Sequence, residues 1–194
     1  MNTDDWKRVL SRDPVMAGLV ETHGAVTLTP AENAFERLCV SIINQQLSTA
    51  SAEAIRERVF GLFDGDLTPA GVLAVDSEPL RDAGLSRTKV EYLRNTAVAF
   101  RDRDLSQERL SSLSNEAVVD ELTRIKGIGE WSAEMFLIFA LGREDVLPLG
   151  DLAIRRGLAS LYDVTERDEM RTVAEPWRPY RSYGTLYVWR AYES

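Results

Sequence analysis

Leu122-Thr-Arg-Ile-Lys-Gly127-Ile-Gly129-Glu-Trp131-Ser-Ala133 decides how this 194-residue chain folds. Ser114 is an N-cap candidate, and Val118, Leu122 and Ile125 recur at helical spacing, so the pattern predicts a helix over 115–125. A second helix is expected from Glu130, burying Ala133, Phe136, Leu137 and Ala140 and stopping at Gly142, a residue suited to the position just past a helix end. Between the two, Gly127 and Gly129 carry no side chains, which lets main-chain N–H groups approach a phosphate closely. The unit reads as a helix-hairpin-helix, with Lys126, Gly127, Ile128, Gly129 and Ser132 as its candidate contact residues. Any αα-hairpin can turn on glycines, so the turn alone leaves a purely structural role open.

Downstream, Leu149-Gly150-Asp151 places one carboxylate directly before the helical run Leu152-Ala-Ile-Arg-Arg-Gly-Leu158. A helix N-terminus favours an anion there. The residues themselves fit two roles, a capping aspartate and a carboxylate placed for chemistry. A hairpin of this kind would hold DNA by its backbone without reading sequence.

Composition restricts the alternatives. The chain is 44% hydrophobic, enough for a sizeable core in one or two helical subdomains. No apolar run reaches membrane-spanning length and the acidic N-terminus lacks the features of a signal peptide, so a cytoplasmic, nucleoid-associated protein with no membrane partner is expected. Cys39 lies in the apolar stripe Phe35, Leu38, Cys39, Ile42, Ile43, which favours a buried thiol over a nucleophile, and a single cysteine excludes a four-cysteine iron–sulfur cluster. His23 is alone beside Gly24 and reads as a turn residue, and there is no zinc, calcium or phosphate-loop pattern. The net charge of -8 is unfavourable for a polyanion partner. Local placement of Lys126, Arg87, Lys89, Arg155 and Arg156 on one face would offset it; solvated helix faces are the plainer alternative.

The remaining periodicity is helical. Helices are expected in the N-terminal segment around 6–20 and over 34–43, 51–63, 69–74, 78–82 and 88–102, with three more after Asp151, Thr165 and Pro179. Thr68-Pro69 and Thr165-x-x-Asp168 have the chemistry of helix starts. Ala25 to Leu28 alternates too briefly to imply a sheet, and Asp64-Gly65, Gly84 and Gly150 are turn signals.

Taken in order, the hairpin, Asp145-Val-Leu-Pro148-Leu-Gly-Asp151, Trp177-Arg-Pro179-Tyr-Arg181-Ser-Tyr183 and Trp189 resemble the helix-hairpin-helix (HhH-GPD) DNA glycosylase superfamily, and more narrowly its AlkA-like DNA-3-methyladenine glycosylase II members. Ser41-Ile-Ile-Asn-Gln45-Gln46-Leu47-Ser48 and Gly84-Leu-Ser-Arg-Thr-Lys89 are similar as well, so the resemblance covers nearly the whole chain. It implies an all-α, two-lobed fold lacking the extra N-terminal β-domain of longer members. Residues 33–141 would form a helical barrel that includes the hairpin at 115–141. Residues 1–32 would pack with a C-terminal lobe, 142–194, which carries the catalytic aspartate.

The resemblance also implies an activity. A monofunctional glycosylase would flip an alkylated purine, of the 3-methyladenine or 7-methylguanine type, out of double-stranded DNA and hydrolyse its N-glycosidic bond, starting base excision repair as a monomer. Asp151 would be the catalytic residue, since a carboxylate beside C1′ stabilises the positive charge that develops on the sugar. In lyase-competent relatives the position of Trp131 holds a lysine, and an indole cannot form a Schiff base. Trp131, Met135 and Trp189 would line the base pocket, where aromatic rings suit a cationic base. Met135 replaces a tyrosine present in some members. Trp131 fits equally a core aromatic under the hairpin, and Trp177, Tyr183 and Tyr187 fit core better than pocket.

Gln46, with Leu47 beside it, would be the wedge that fills the hole left by the flipped base; Gln45 and Gln46 serve equally as helix-end caps. No organic cofactor is implied, only a structural Na+ or K+ on the backbone carbonyls of Thr123, Ile125 and Ile128. A non-catalytic helix-hairpin-helix protein that binds DNA or senses damage is the alternative function.

Overall fold

Short polar side chains start most of the helices. The computed structural model describes residues 5–47, 49–63 and 65–194; Ser48 of the glutamine-rich motif and Asp64 of the Asp64-Gly65 turn lie outside them. The expected N-terminal run is two helices, α1 (Asp5–Leu10) and α2 (Pro14–His23). Pro14 has no N–H to continue α1, and the Asp13 carboxylate accepts the N–H groups of Val15 and Met16 at the start of α2. His23 ends α2, and the turn falls on Gly24, whose φ is 68°. The expected turn at His23 is thus displaced by one residue.

Residues 31–141 form one compact unit. Asn33 caps α3 (Ala34–Asn44) by accepting the Glu36 N–H at 3.0 Å. Leu38, Cys39, Ile42 and Ile43 on α3 are wholly buried. Burial pushes the Cys39 thiol well above its usual range, which leaves it a packing group and not a nucleophile. After α3 come α4 (Thr49–Phe60), α5 (Pro69–Ala74), α6 (Ser77–Asp82) and α7 (Arg87–Asp102). Thr68 and Ser86 cap α5 and α7 as their hydroxyls accept the N–H groups of Gly71 and Lys89. A helix not expected from the sequence, α8 (Gln107–Ser111), follows the Ser106 cap. At one and a half turns it is too short for periodicity to reveal.

The unit closes with α9 (Asn115–Thr123) and α10 (Glu130–Phe139). Both are shorter at the C-terminal end than the apolar pattern predicts: Ile125 is buried by the turn itself, and Gly142, at φ 65°, sits beyond the loosened last turn. The fold centres on α3, against which α4, α7 and α10 pack.

The second unit is Met1–Pro30 together with Gly142–Ser194. Its C-terminal part comprises α11 (Leu152–Tyr162), α12 (Arg167–Ala174), a 3-10 turn at Glu175–Trp177 and α13 (Arg181–Glu193). The start of α12 lies one residue beyond the expected Thr165 box, because the Glu169 carboxylate accepts the N–H groups of both Thr165 and Glu166. Asp168 instead pairs with Arg171 at 2.6 Å.

Trp6, Leu10 and Met16 from the first two helices share a core with Leu158, Trp177, Tyr187 and Val188. Polar bonds fasten the same two ends of the chain: Asp13 accepts the Tyr162 hydroxyl at 2.7 Å and the Trp177 indole N–H at 3.0 Å, and the Tyr187 hydroxyl donates to the Gly24 carbonyl at 2.7 Å. Burial and the neighbouring Asp13 carboxylate push the Tyr162 phenol far up. Among the described residues there is no strand, and no helix is long and apolar enough to cross a membrane.

Candidate functional site

The hairpin is braced from below by α3 and α7. Gly127 has φ 107°, and a Cβ there would stand 2.2 Å from the Tyr92 ring, so backbone conformation and packing both require glycine. Its carbonyl accepts the Gln45 amide N–H at 3.1 Å, and the same nitrogen lies 3.2 Å from the Ser132 hydroxyl. Gln45 is therefore the strut that ties the end of α3 to the turn and to the first turn of α10. The flanking sequence offers it only the role of a helix-end cap. No local signal marks it, because its partners lie more than eighty positions away.

The Ser132 side chain is 1% exposed and its hydroxyl faces Gln45, so its side chain belongs to the brace of the hairpin. Ile128 is likewise buried and donates its N–H to the Ile125 carbonyl at 3.0 Å.

Gly129 differs from Gly127. Its φ of -97° is open to any residue, and an added Cβ would meet nothing within 4 Å. Nothing inside the fold calls for glycine, so the space in front of it is what its small size preserves. It is the N-cap of α10 and supplies no side-chain acceptor to the first-turn N–H groups, and a helix start of this kind suits an anion. The cation beside the turn is partly committed: Lys126 pairs with Glu91 at 2.6 Å, and Glu91 holds the ammonium above its usual range.

The other expected basic residues divide. Lys89 is drawn inward to the Ile43 carbonyl at 2.7 Å, and its partial burial lowers its basicity. Arg155 spans the carbonyls of Leu149 and Gly150 at 2.8 and 2.9 Å, and Arg156 donates to the Tyr192 hydroxyl at 3.3 Å. Arg87 is exposed.

At the wedge position the chain turns sharply after α3. Gln46 is exposed and adopts φ 58°, a conformation uncommon outside glycine and asparagine, and Leu47 beside it is also exposed. Both side chains thus protrude where the apolar stripe of α3 ends. On α10, Trp131 is half-buried and Met135 buried one turn further, so they share a face of that helix.

In the other unit, Asp151 caps α11. Its Oδ1 accepts the Ile154 N–H at 2.9 Å and the Trp189 indole N–H at 3.2 Å. The two bonds set the carboxylate's rotamer from two directions. Gly157 makes this possible: a Cβ there would stand 2.5 Å from Val188, so its absence lets α13 lie close against α11 and carries Trp189 to Asp151. The tryptophan expected only as a stacking surface thus also orients the carboxylate. Trp177 and Tyr187 are fully buried core residues, and Tyr183 stacks on Trp6 with ring centroids 4.9 Å apart.

Among the described residues no group of three or more His, Cys, Asp or Glu side chains could hold a metal. The Ile125 carbonyl, one of the three expected cation ligands, accepts the Ile128 N–H at 3.0 Å.

Known proteins are similar to this chain in sequence and fold. A family model described as HhH-GPD superfamily base excision DNA repair protein matches residues 39–180. The chain is 31% identical to DNA-3-methyladenine glycosylase 1 of Schizosaccharomyces pombe, over 96% of this chain and 82% of that one. It is 30% identical to the putative DNA-3-methyladenine glycosylase YfjP of Bacillus subtilis over 92% of its own length, spanning 66% of that protein. The structure of Schizosaccharomyces pombe 3-methyladenine DNA glycosylase (Mag1) in complex with abasic DNA superimposes with a TM-score of 0.87, at 31% identity and 95% coverage of both chains. With the family match spanning most of its length, the chain belongs to the HhH-GPD superfamily of base excision DNA repair proteins.

Proposed function

We infer that the protein is a monofunctional DNA glycosylase that removes alkylated purines, of the 3-methyladenine and 7-methylguanine type, from duplex DNA by hydrolysis. The observation that carries the reading is Asp151, held at the N-terminus of α11 by the Ile154 N–H and the Trp189 indole. Carboxylates are ionised near neutral pH, and one fixed beside C1′ offsets the positive charge that builds on the sugar as the base departs. Because the surrounding bonds are made before substrate arrives, the carboxylate needs little reorganisation when that charge appears. Asp151 also orients the attacking water and accepts its proton, passing it on to solvent, as the oxygen adds to C1′ and the base leaves with the bonding electron pair.

Alkylation at N3 or N7 makes the purine cationic and weakens the glycosidic bond, so no strong general acid is needed. Trp189, beside Asp151, supplies an aromatic surface for such a base. Gln46 fills the vacated position in the duplex, with Leu47 beside it. The open start of α10 at Gly129 receives a backbone phosphate, with Lys126, still paired with Glu91, beside it. A monovalent cation on the carbonyls of Thr123, Ile125 and Ile128 would add positive charge at the same place, and the chain would act as a monomer.

Trp131 stands where covalent catalysis would need an amine, so the product is an intact strand with an abasic site. Incubated with methylated duplex DNA, the protein is expected to release free purine, and the product strand should break only after alkali treatment. Breakage without alkali would refute the hydrolytic mechanism; DNA binding with no base release would favour the damage-sensing alternative.

A further inference from the structure

Three arginines converge on a cavity of about 450 Å3 between α6 and α7. Arg81 comes from α6, Arg87 and Arg94 from α7, and Ser77, Glu91 and Asn95 complete the part of the wall that matters here. None of the three arginines has an ion-pair partner among the described residues. Other clustered arginines of the chain gather around an acid: Arg103, Arg109 and Arg124 share Glu121, and Arg178 and Arg181 share Asp145.

The single acid of the cavity, Glu91, is occupied by Lys126 at 2.6 Å. Arg94 is held in place by the Val75 carbonyl, while its Nε is sealed from solvent with no acceptor. A fixed, uncompensated cation therefore backs two exposed guanidinium groups. Like charges brought together in this way repel one another unless an anion joins them.

We propose that this cavity is a second phosphate-binding site, which takes a backbone phosphate of the DNA adjoining the stretch gripped by the hairpin. The proposal rests on the glycosylase reading for the identity of the phosphate's source. Continuity with the hairpin is direct, because Lys126 meets Glu91 on α7 and the Lys126 carbonyl accepts the Asn95 amide at 3.3 Å. Guanidinium forks match the two oxygens of a phosphate, and contacts of this kind position a duplex without reading its bases. In a chain of net charge -8, three arginines against one acid make this wall locally positive, as a polyanion contact requires.

The test is equilibrium binding of the whole chain to unmodified duplex across a range of salt concentrations, comparing wild type with Arg81→Gln/Arg87→Gln. Both side chains are exposed, so the fold should hold, and thermal unfolding checks it. The variant is expected to bind about tenfold more weakly and to lose about 0.9 from the slope of log K against log salt, the share of one phosphate. The loss should be the same on duplex carrying an alkylated base.

Arg167→Gln/Arg171→Gln removes the same charge from exposed positions on α12. The proposal fails if this control lowers the slope equally, or if Arg81→Gln/Arg87→Gln leaves slope and affinity unchanged. It also fails if the variant loses binding of inorganic phosphate while DNA binding is intact, which would assign the cavity to a free anion. Base release by wild type is measured on the same methylated duplex. A changed slope with no base release would overturn the enzymatic reading and leave the phosphate contact standing.

Discussion

Asp151→Asn is expected to lower base release from methylated duplex by at least about 100-fold, while DNA affinity and folding stability stay close to wild type. The substitution separates two duties of one side chain. Asparagine is as good an N-cap as aspartate, and its carbonyl oxygen can still accept the Ile154 N–H and the Trp189 indole. What it lacks is the negative charge facing the sugar. A loss of activity therefore measures charge, whereas Asp151→Ala would remove cap and charge together and cost about 1 kcal/mol of stability besides. Single-turnover release and thermal unfolding, measured on both variants, give the decision. Near wild-type release by Asp151→Asn would mean that the charge-stabilising group lies elsewhere.

The two hairpin glycines are expected to fail in opposite ways when changed to alanine. At position 127 the new methyl would collide with the Tyr92 ring at 2.2 Å, in a backbone conformation of φ 107°. Strain and overpacking together should cost on the order of 2 kcal/mol or more, visible as a lower unfolding temperature, and DNA affinity should fall as the turn distorts. At position 129 the methyl enters open space at an ordinary φ, and stability should drop by no more than about 1 kcal/mol, glycine being the better N-cap. Affinity for duplex should nevertheless weaken by about 10- to 100-fold, the worth of a hydrogen bond to a charged group. Wild-type affinity in Gly129→Ala would remove the start of α10 from the DNA interface.

The hairpin was legible because its information is local. Ser114, the apolar spacing and the two glycines lie within one short stretch, and the same holds for Thr68 ahead of Pro69 and Asp151 ahead of α11. Helix ends were less so. Apolar periodicity continues through Ile125, which the turn buries without helical geometry. At α12 the start falls one residue late, because Glu166 with Glu169 displaces the more orthodox Thr165 with Asp168. The site was legible as residue types and less so as partnerships. Gln45, Glu91 and Gly157 act through contacts across the fold: on the hairpin, on Lys126 and on the approach of α13. A glycine inside α11 or a glutamine after α3 carries no sign of its partner in the flanking sequence. The inward turn of the Ser132 hydroxyl has the same origin, since the strut that receives it comes from Gln45.

Asp13 has a consequence for how the protein is made. It is translated 149 residues before its partner Tyr162 and 164 before its partner Trp177. Residues 31–141 are continuous and can settle as soon as they emerge, in keeping with domains folding as units in order of synthesis. Protease protection of stalled nascent chains should accordingly appear across 31–141 while residues 5–30 remain cleavable, and simultaneous protection of both would refute this order. A growing chain thus acquires its means of gripping DNA before the carboxylate that would act on it has a folded setting.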